Sequence, residues 1–151
     1  MSNRPTIALS GGFDPPTKNH IAMILDAAMI GDVIIILNSD EWCKKNNALP
    51  FLFSKYERRA SLLSKIPGVI RVVPADDEDG TVCKTLAKIN PDFFGNGGKR
   101  NIRNTPEVQL CKELRIGMMW FLGNNKDEEL LQKADSYLKI AIQKTYGNNA
   151  E

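Results

Sequence analysis

Ile7-Ala8-Leu9-Ser10-Gly11-Gly12-Phe13-Asp14-Pro15-Pro16-Thr17-Lys18-Asn19-His20 is the stretch whose reading decides the fold. Its opening, Ile7 to Leu9, is apolar, and helical periodicity begins near Ile21, so a strand, a glycine turn and a helix N-terminus follow one another here. Gly11 and Gly12 can take backbone angles closed to other residues and let a ligand approach the main chain. Pro15 and Pro16 disfavour helix before Thr17, a good N-cap, which starts the helix at Lys18. The unpaired N–H groups of that first turn, with the helix dipole, favour a bound phosphate. His20, the chain's one histidine, falls three residues after the cap and within reach of such an anion. As a ring lining an open crevice, it is expected to contribute little to packing.

Outward from this stretch the pattern repeats. Ile21, Ile24, Leu25 and Ala28 form one helical face, Gly31 can cap it, and Val33 to Leu37 is an unbroken apolar run suited to a strand covered on both faces. Asn38 to Leu52 reads as a long loop at the carboxyl edge, where ligands of open α/β sheets bind, and it carries Asp40, Glu41, Trp42, Lys44 and Lys45. Ser54 and Glu57 make a capping box for a helix running to about Lys65. Val69 to Val73 is a third strand. The acidic turn Asp76 to Gly80 reads more readily as a solvated loop than as a magnesium site. A helix from Thr81 to Ile89 leads to a strand at Pro91 to Phe94, and then to a second glycine loop, Gly95-Asn96-Gly97-Gly98-Lys99-Arg100. Thr105 and Pro106 open a helix to Leu114, Gly117 to Leu122 is a fifth strand, and Asn125 can cap a long apolar-striped helix from Leu130 to Ile142.

The expected architecture is therefore α/β: a Rossmann-like, doubly wound, five-stranded parallel sheet with its first strand central and a C-terminal helix over about residues 126–146. One domain is expected over 1–151, with its core over about residues 5–122. The stripe of the last helix runs past the length needed to cover a small sheet, which points to a homodimer contact. Twenty basic against 18 acidic residues, a net charge of +2, argue for neither a nucleic-acid nor a membrane partner. No stretch reads as a membrane span or signal segment. Cys43, Cys83 and Cys111 lack metal-ligand spacing and suit free thiols in a reducing cytoplasm.

Gly11, Phe13, Asp14, Thr17 and His20 match, in order and spacing, the first signature of the cytidylyltransferase-like nucleotidyltransferases, Gly-x-Phe-Asp-x-x-(His or Thr)-x-Gly-His, which this sequence resembles. Thr17 is the variant of phosphopantetheine adenylyltransferase-like members, and Asn19 stands where the family has glycine. Tyr56-Glu57-Arg58-Arg59 resembles the Tyr-Glu-x-Arg of glycerol-phosphate cytidylyltransferases, with Arg59 the matching arginine. Lys99 replaces the acid of a frequent Gly-Gly-Asp. The resemblance covers roughly residues 5 to 122. The second signature, a Ser/Thr-rich turn with a basic residue for the leaving phosphates, has no counterpart in Gly123 to Glu129, where only Lys126 could stand in.

Read from the residues alone, Thr17, His20, Lys44, Lys45, Arg59, Lys99, Arg100 and Arg103 gather around a glycine-lined crevice that suits a polyanion. The resemblance implies nucleotidyl transfer from ATP or CTP to a phosphorylated alcohol or sugar, with pyrophosphate expelled and magnesium bound through the triphosphate. On that reading His20, Thr17 and Lys44 are catalytic. Gly11, Gly12, Phe13, Asp14, Gly97, Gly98, Lys99 and Arg100 bind nucleotide; Lys45, Arg59 and Asp40 bind the acceptor. A nucleotide-binding domain without turnover is the alternative. A dinucleotide oxidoreductase is disfavoured, because no Gly-x-Gly-x-x-Gly follows the first strand.

Overall fold

The computed structural model describes residues 3–123 and 127–147. Five strands, β1 (Thr6–Gly11), β2 (Asp32–Leu37), β3 (Val69–Pro74), β4 (Phe93–Gly95) and β5 (Gly117–Met119), form one parallel sheet in the order β3-β2-β1-β4-β5. The first strand is central, as its apolar run and glycine exit required. Because successive strand residues point to opposite faces, Ile7, Leu9, Ile35 and Leu37 enter one core, while Ala8, Ile36 and Phe94 enter the other. Helices α1 (Lys18–Ala28) and α3 (Tyr56–Leu63) cover the first face; α4 (Cys83–Ile89) and α5 (Val108–Leu114) cover the second.

The last helix, α6 (Glu128–Tyr146), packs on α1 and α3 through Ala134, Leu138 and Ala141. Its cap is Asp127, whose side chain accepts from Glu129 N and Leu130 N. Asn125 and Lys126 lie outside the described residues. Tyr137, Ile140 and Ile142 of α6 stay exposed.

Three local expectations are corrected. The stretch after β2 is no long loop: α2 spans Asp40–Asn46, with Ser39 Oγ accepting from Trp42 N, acids in its first turn and Lys44 and Lys45 in its last. That charge order complements the helix dipole, and it is a start signal the sequence did contain. Ser54 caps nothing. Its N–H donates to Asp14 and its hydroxyl meets Tyr146 Oη at 3.1 Å, so α3 begins at Tyr56 without a side-chain cap. Helix α5 likewise begins at Val108 instead of Pro106, because Thr105 lies in a preceding turn that Val108 N closes onto Thr105 O.

Arg59 ties these elements together at the carboxyl edge. Its side chain is 1% exposed. Nε donates to Ser54 O (2.9 Å), Nη1 to Gly12 O (2.8 Å) and Asn38 O (2.9 Å), and Nη2 to Asp40 Oδ1 (2.6 Å). One planar fork thus joins the exits of β1 and β2 to α2 and α3. Arg59→Met strands three carbonyls and a carboxylate, and is expected to cost about 3 kcal/mol or more, a Tm fall of roughly 6–12 °C for a chain of this size. Arg59→Lys should recover little of it in thermal unfolding, since a point-like ammonium cannot serve four directions.

Candidate functional site

The turn after β1 sits at the point where strand order reverses, between β1 and β4, which is where open α/β sheets bind ligands. Its strained residue is Phe13, at φ +49°, and neither Gly11 nor Gly12 has positive φ. The glycines are needed for space: a Cβ on Gly11 would stand 3.0 Å from the Phe13 ring, and one on Gly12 3.0 Å from Cys43 Sγ and 3.2 Å from Trp42. Absence of Cβ here therefore lets Phe13 fold back and α2 dock. Asp14 is likewise placed within the protein. Its carboxylate accepts from Ser54 N (2.7 Å), Phe53 N (2.8 Å) and Asn47 Nδ2 (3.0 Å), which pins the segment between α2 and α3.

Thr17 and His20 cap α1 reciprocally. His20 N donates to Thr17 Oγ1 at 3.3 Å, and Thr17 N donates to His20 Nδ1 at 3.0 Å. A ring nitrogen that accepts a main-chain N–H carries no proton, so the neutral imidazole bears its hydrogen on Nε2. The Phe13 ring meets the imidazole edge-on, centroids 5.0 Å apart at 65°. Burial holds the imidazole pKa below its ordinary 6.5, which keeps the ring neutral near pH 7. His20 is thus half-buried and part of the cap, not the loosely packed ring expected. The N–H groups of Lys18 and Asn19 keep no intrahelical partner.

His20 and Thr17 line a crevice of about 530 Å³ with Gly97, Gly98, Lys99 and Gly123. Two predicted glycine-bearing stretches therefore meet across it. A second cavity, of about 620 Å³, opens at the ends of β2 and β3, where Lys45, Trp42 and Asn46 of α2 face Asp76 and Glu78. The remaining cations are not gathered as expected. Lys44 pairs with Glu41 at 3.3 Å on α2 and lines neither space; Arg59, with Asp40, is internal; Arg100 turns to the buried Glu107 at 3.4 Å; and Arg103 is exposed.

Sequence reasoning missed two buried acids. Glu107 also accepts from Val82 N at 3.0 Å, so it holds the second glycine loop to the start of α4. Asp77, read as part of a solvated turn, accepts from Asn38 Nδ2 (2.9 Å), Ser39 N (2.8 Å) and Ser39 Oγ (2.8 Å). Its only signal was position, opposite the end of a buried strand. Among the described residues no three or more metal-ligating side chains cluster, and no carboxylate lines the crevice. This donor set offers no carboxylate cage for a magnesium held by the chain itself. Burial pushes the Cys43 thiol up to about 11 despite the neighbouring Arg59, which disfavours its thiolate near neutral pH.

Over residues 8–127 the chain matches the model of the cytidylyltransferase-like family, and it belongs to that family. No curated protein matches it. Its fold is similar to that of a lipopolysaccharide core biosynthesis protein from Thermoplasma volcanium GSS1, with 18% sequence identity, a TM-score of 0.64, and coverage of 78% of this chain and 95% of that one. Among the described residues no helix is long and apolar enough to cross a membrane.

The His20 cap makes stability pH-dependent. The folded-state pKa lies below the unfolded one, so in the interval between them the unfolded chain binds a proton that the folded chain refuses, and stability rises with pH. The contribution of His20 is complete above its ordinary 6.5 and is lost as pH falls through the lower folded value. His20→Ala should lower Tm by a few degrees at about pH 7.5, the loss of roughly 1 kcal/mol of cap. That deficit should shrink as pH falls below 6.5 and through the lower folded value, where the parent loses the same interaction. Thermal unfolding of both chains across this range checks it.

Proposed function

We propose that the protein is a cytoplasmic nucleotidyltransferase that transfers a nucleoside monophosphate from ATP or CTP to the phosphate of a phosphorylated alcohol or sugar, releasing pyrophosphate. The observation that carries this reading is His20. Its tautomer is fixed by Thr17 N, and it stands at the N-terminus of α1 in a crevice closed by Gly97 and Gly98. A nucleophilic substitution at the α-phosphate needs no general base, because a phosphate acceptor is already ionised. Its oxygen forms the new bond to phosphorus while the bridging bond to the β-phosphate breaks and the electron pair leaves with pyrophosphate.

The chain's part is to position and to stabilise charge. The N–H groups of Lys18 and Asn19 hold phosphate oxygens, and His20 Nε2–H donates to the α- or β-phosphate as charge builds. Gly97 and Gly98 let the nucleotide lie against the main chain. Lys45, which lines the second cavity, meets the phosphate of the acceptor. Magnesium, when carried in on the triphosphate, neutralises phosphate charge. The exposed Tyr137 and Ile140 of α6 support a homodimer contact on that face.

Purified protein should release pyrophosphate with one of the four nucleoside triphosphates and a member of a panel of alcohol and sugar phosphates. His20→Ala should lower turnover by about 10²- to 10³-fold while nucleotide affinity changes by no more than about threefold. Nucleotide binding with no pyrophosphate released from any pair would instead establish a binding domain.

A further inference from the structure

Pyrophosphate leaves with an added negative charge, yet the groups named so far as meeting the nucleotide, N–H donors and a neutral imidazole, carry no net positive charge. Among the described residues lining the crevice, Lys99 alone is charged. Of the other predicted cations, Lys44 pairs with Glu41, Arg59 serves four acceptors within the protein, Arg100 pairs with Glu107, Lys45 lines the second cavity, and the exposed Arg103 lines neither space. Lys99 makes no ion pair among the described residues and is exposed, while its main chain is fixed. Asn104 Nδ2 donates to Lys99 O at 2.9 Å, and Arg100 N closes the turn onto Gly97 O at 3.2 Å. A free ammonium is thereby held on a pinned loop, across the crevice from His20.

We infer that Lys99 is the catalytic cation for the leaving pyrophosphate, taking the role of the Ser/Thr-rich signature turn that the sequence after β5 lacks. The inference rests on the nucleotidyl-transfer reading. As the bond between the α-phosphorus and the bridging oxygen breaks, the Lys99 ammonium donates to the oxyanion that forms on the pyrophosphate, and no proton is transferred. The contact is made to the β- and γ-phosphates, so a nucleoside monophosphate does not reach it.

The test compares the parent with Lys99→Met, Lys99→Arg and Lys126→Met, using inorganic pyrophosphate and the nucleoside monophosphates AMP and CMP as calorimetric probes beside turnover. Loss of one charge-assisted contact should weaken pyrophosphate binding to Lys99→Met by about tenfold or more, with monophosphate affinity unchanged within about twofold and turnover lowered by roughly 10²-fold. Lys99→Arg should restore most of the pyrophosphate affinity. Parent-like pyrophosphate binding by Lys99→Met overturns the role of Lys99 and leaves nucleotidyl transfer standing. A loss confined to Lys126→Met overturns that role equally. A parent chain that binds neither pyrophosphate nor any nucleotide overturns both readings.

Discussion

The guanidinium of Arg59 satisfies a need that a parallel sheet creates at its carboxyl edge. The first carbonyls beyond β1 and β2, those of Gly12 and Asn38, emerge where the ladder ends, and the segments that follow diverge there. Water cannot serve those carbonyls once α2 and α3 close over them. A side chain with five donors in one plane can do so, and Asp40 offsets the cost of burying its charge. Arginine at this position is therefore better understood as the frame of the site than as one of its contacts.

Three carboxylates perform the converse task. Asp14, Asp77 and Glu107 each accept main-chain N–H groups from a segment distant in sequence, which fixes respectively the stretch between α2 and α3, the start of α2, and the start of α4. Acids held this way are turned from the crevice. The consequence is electrostatic: the space between His20 and Lys99 is walled by N–H donors, hydroxyl, imidazole and ammonium, with no fixed negative charge among the described lining residues to repel a triphosphate.

Much of the fold was legible because it rests on local rules. The apolar runs of β1 and β2, the Thr17 cap that starts α1 at Lys18, and the two glycine stretches at one edge all follow from periodicity and capping chemistry. What escaped depended on partners remote in the chain. Asp14 and Arg59 look like ligand groups in sequence because both are charged and lie near glycine or at a helix start. Only their acceptors and donors, 19 to 47 residues away for Gly12, Asn38, Asp40 and Phe53, show that they bind the protein to itself. The glycines misled similarly, since a missing Cβ serves conformation or packing, and a sequence does not say which. Helix α2 escaped for another reason: it is short and mostly polar, so its Ser39 cap and charge order stand without an apolar stripe to reinforce them.

The position of α6 bears on the order in which the protein can be made. Helix α1 is held between the sheet and α6, with Ile21, Ile24 and Ala27 in the same core as Ala134, Leu138 and Ala141. A chain emerging from the ribosome can pair β1 with β2 early, but the outer face of α1 stays bare until α6 follows more than a hundred residues later. Until then the helix that carries His20 has an uncovered apolar flank. Nascent chains halted before α6 would leave that flank bare, a surface on which they can aggregate.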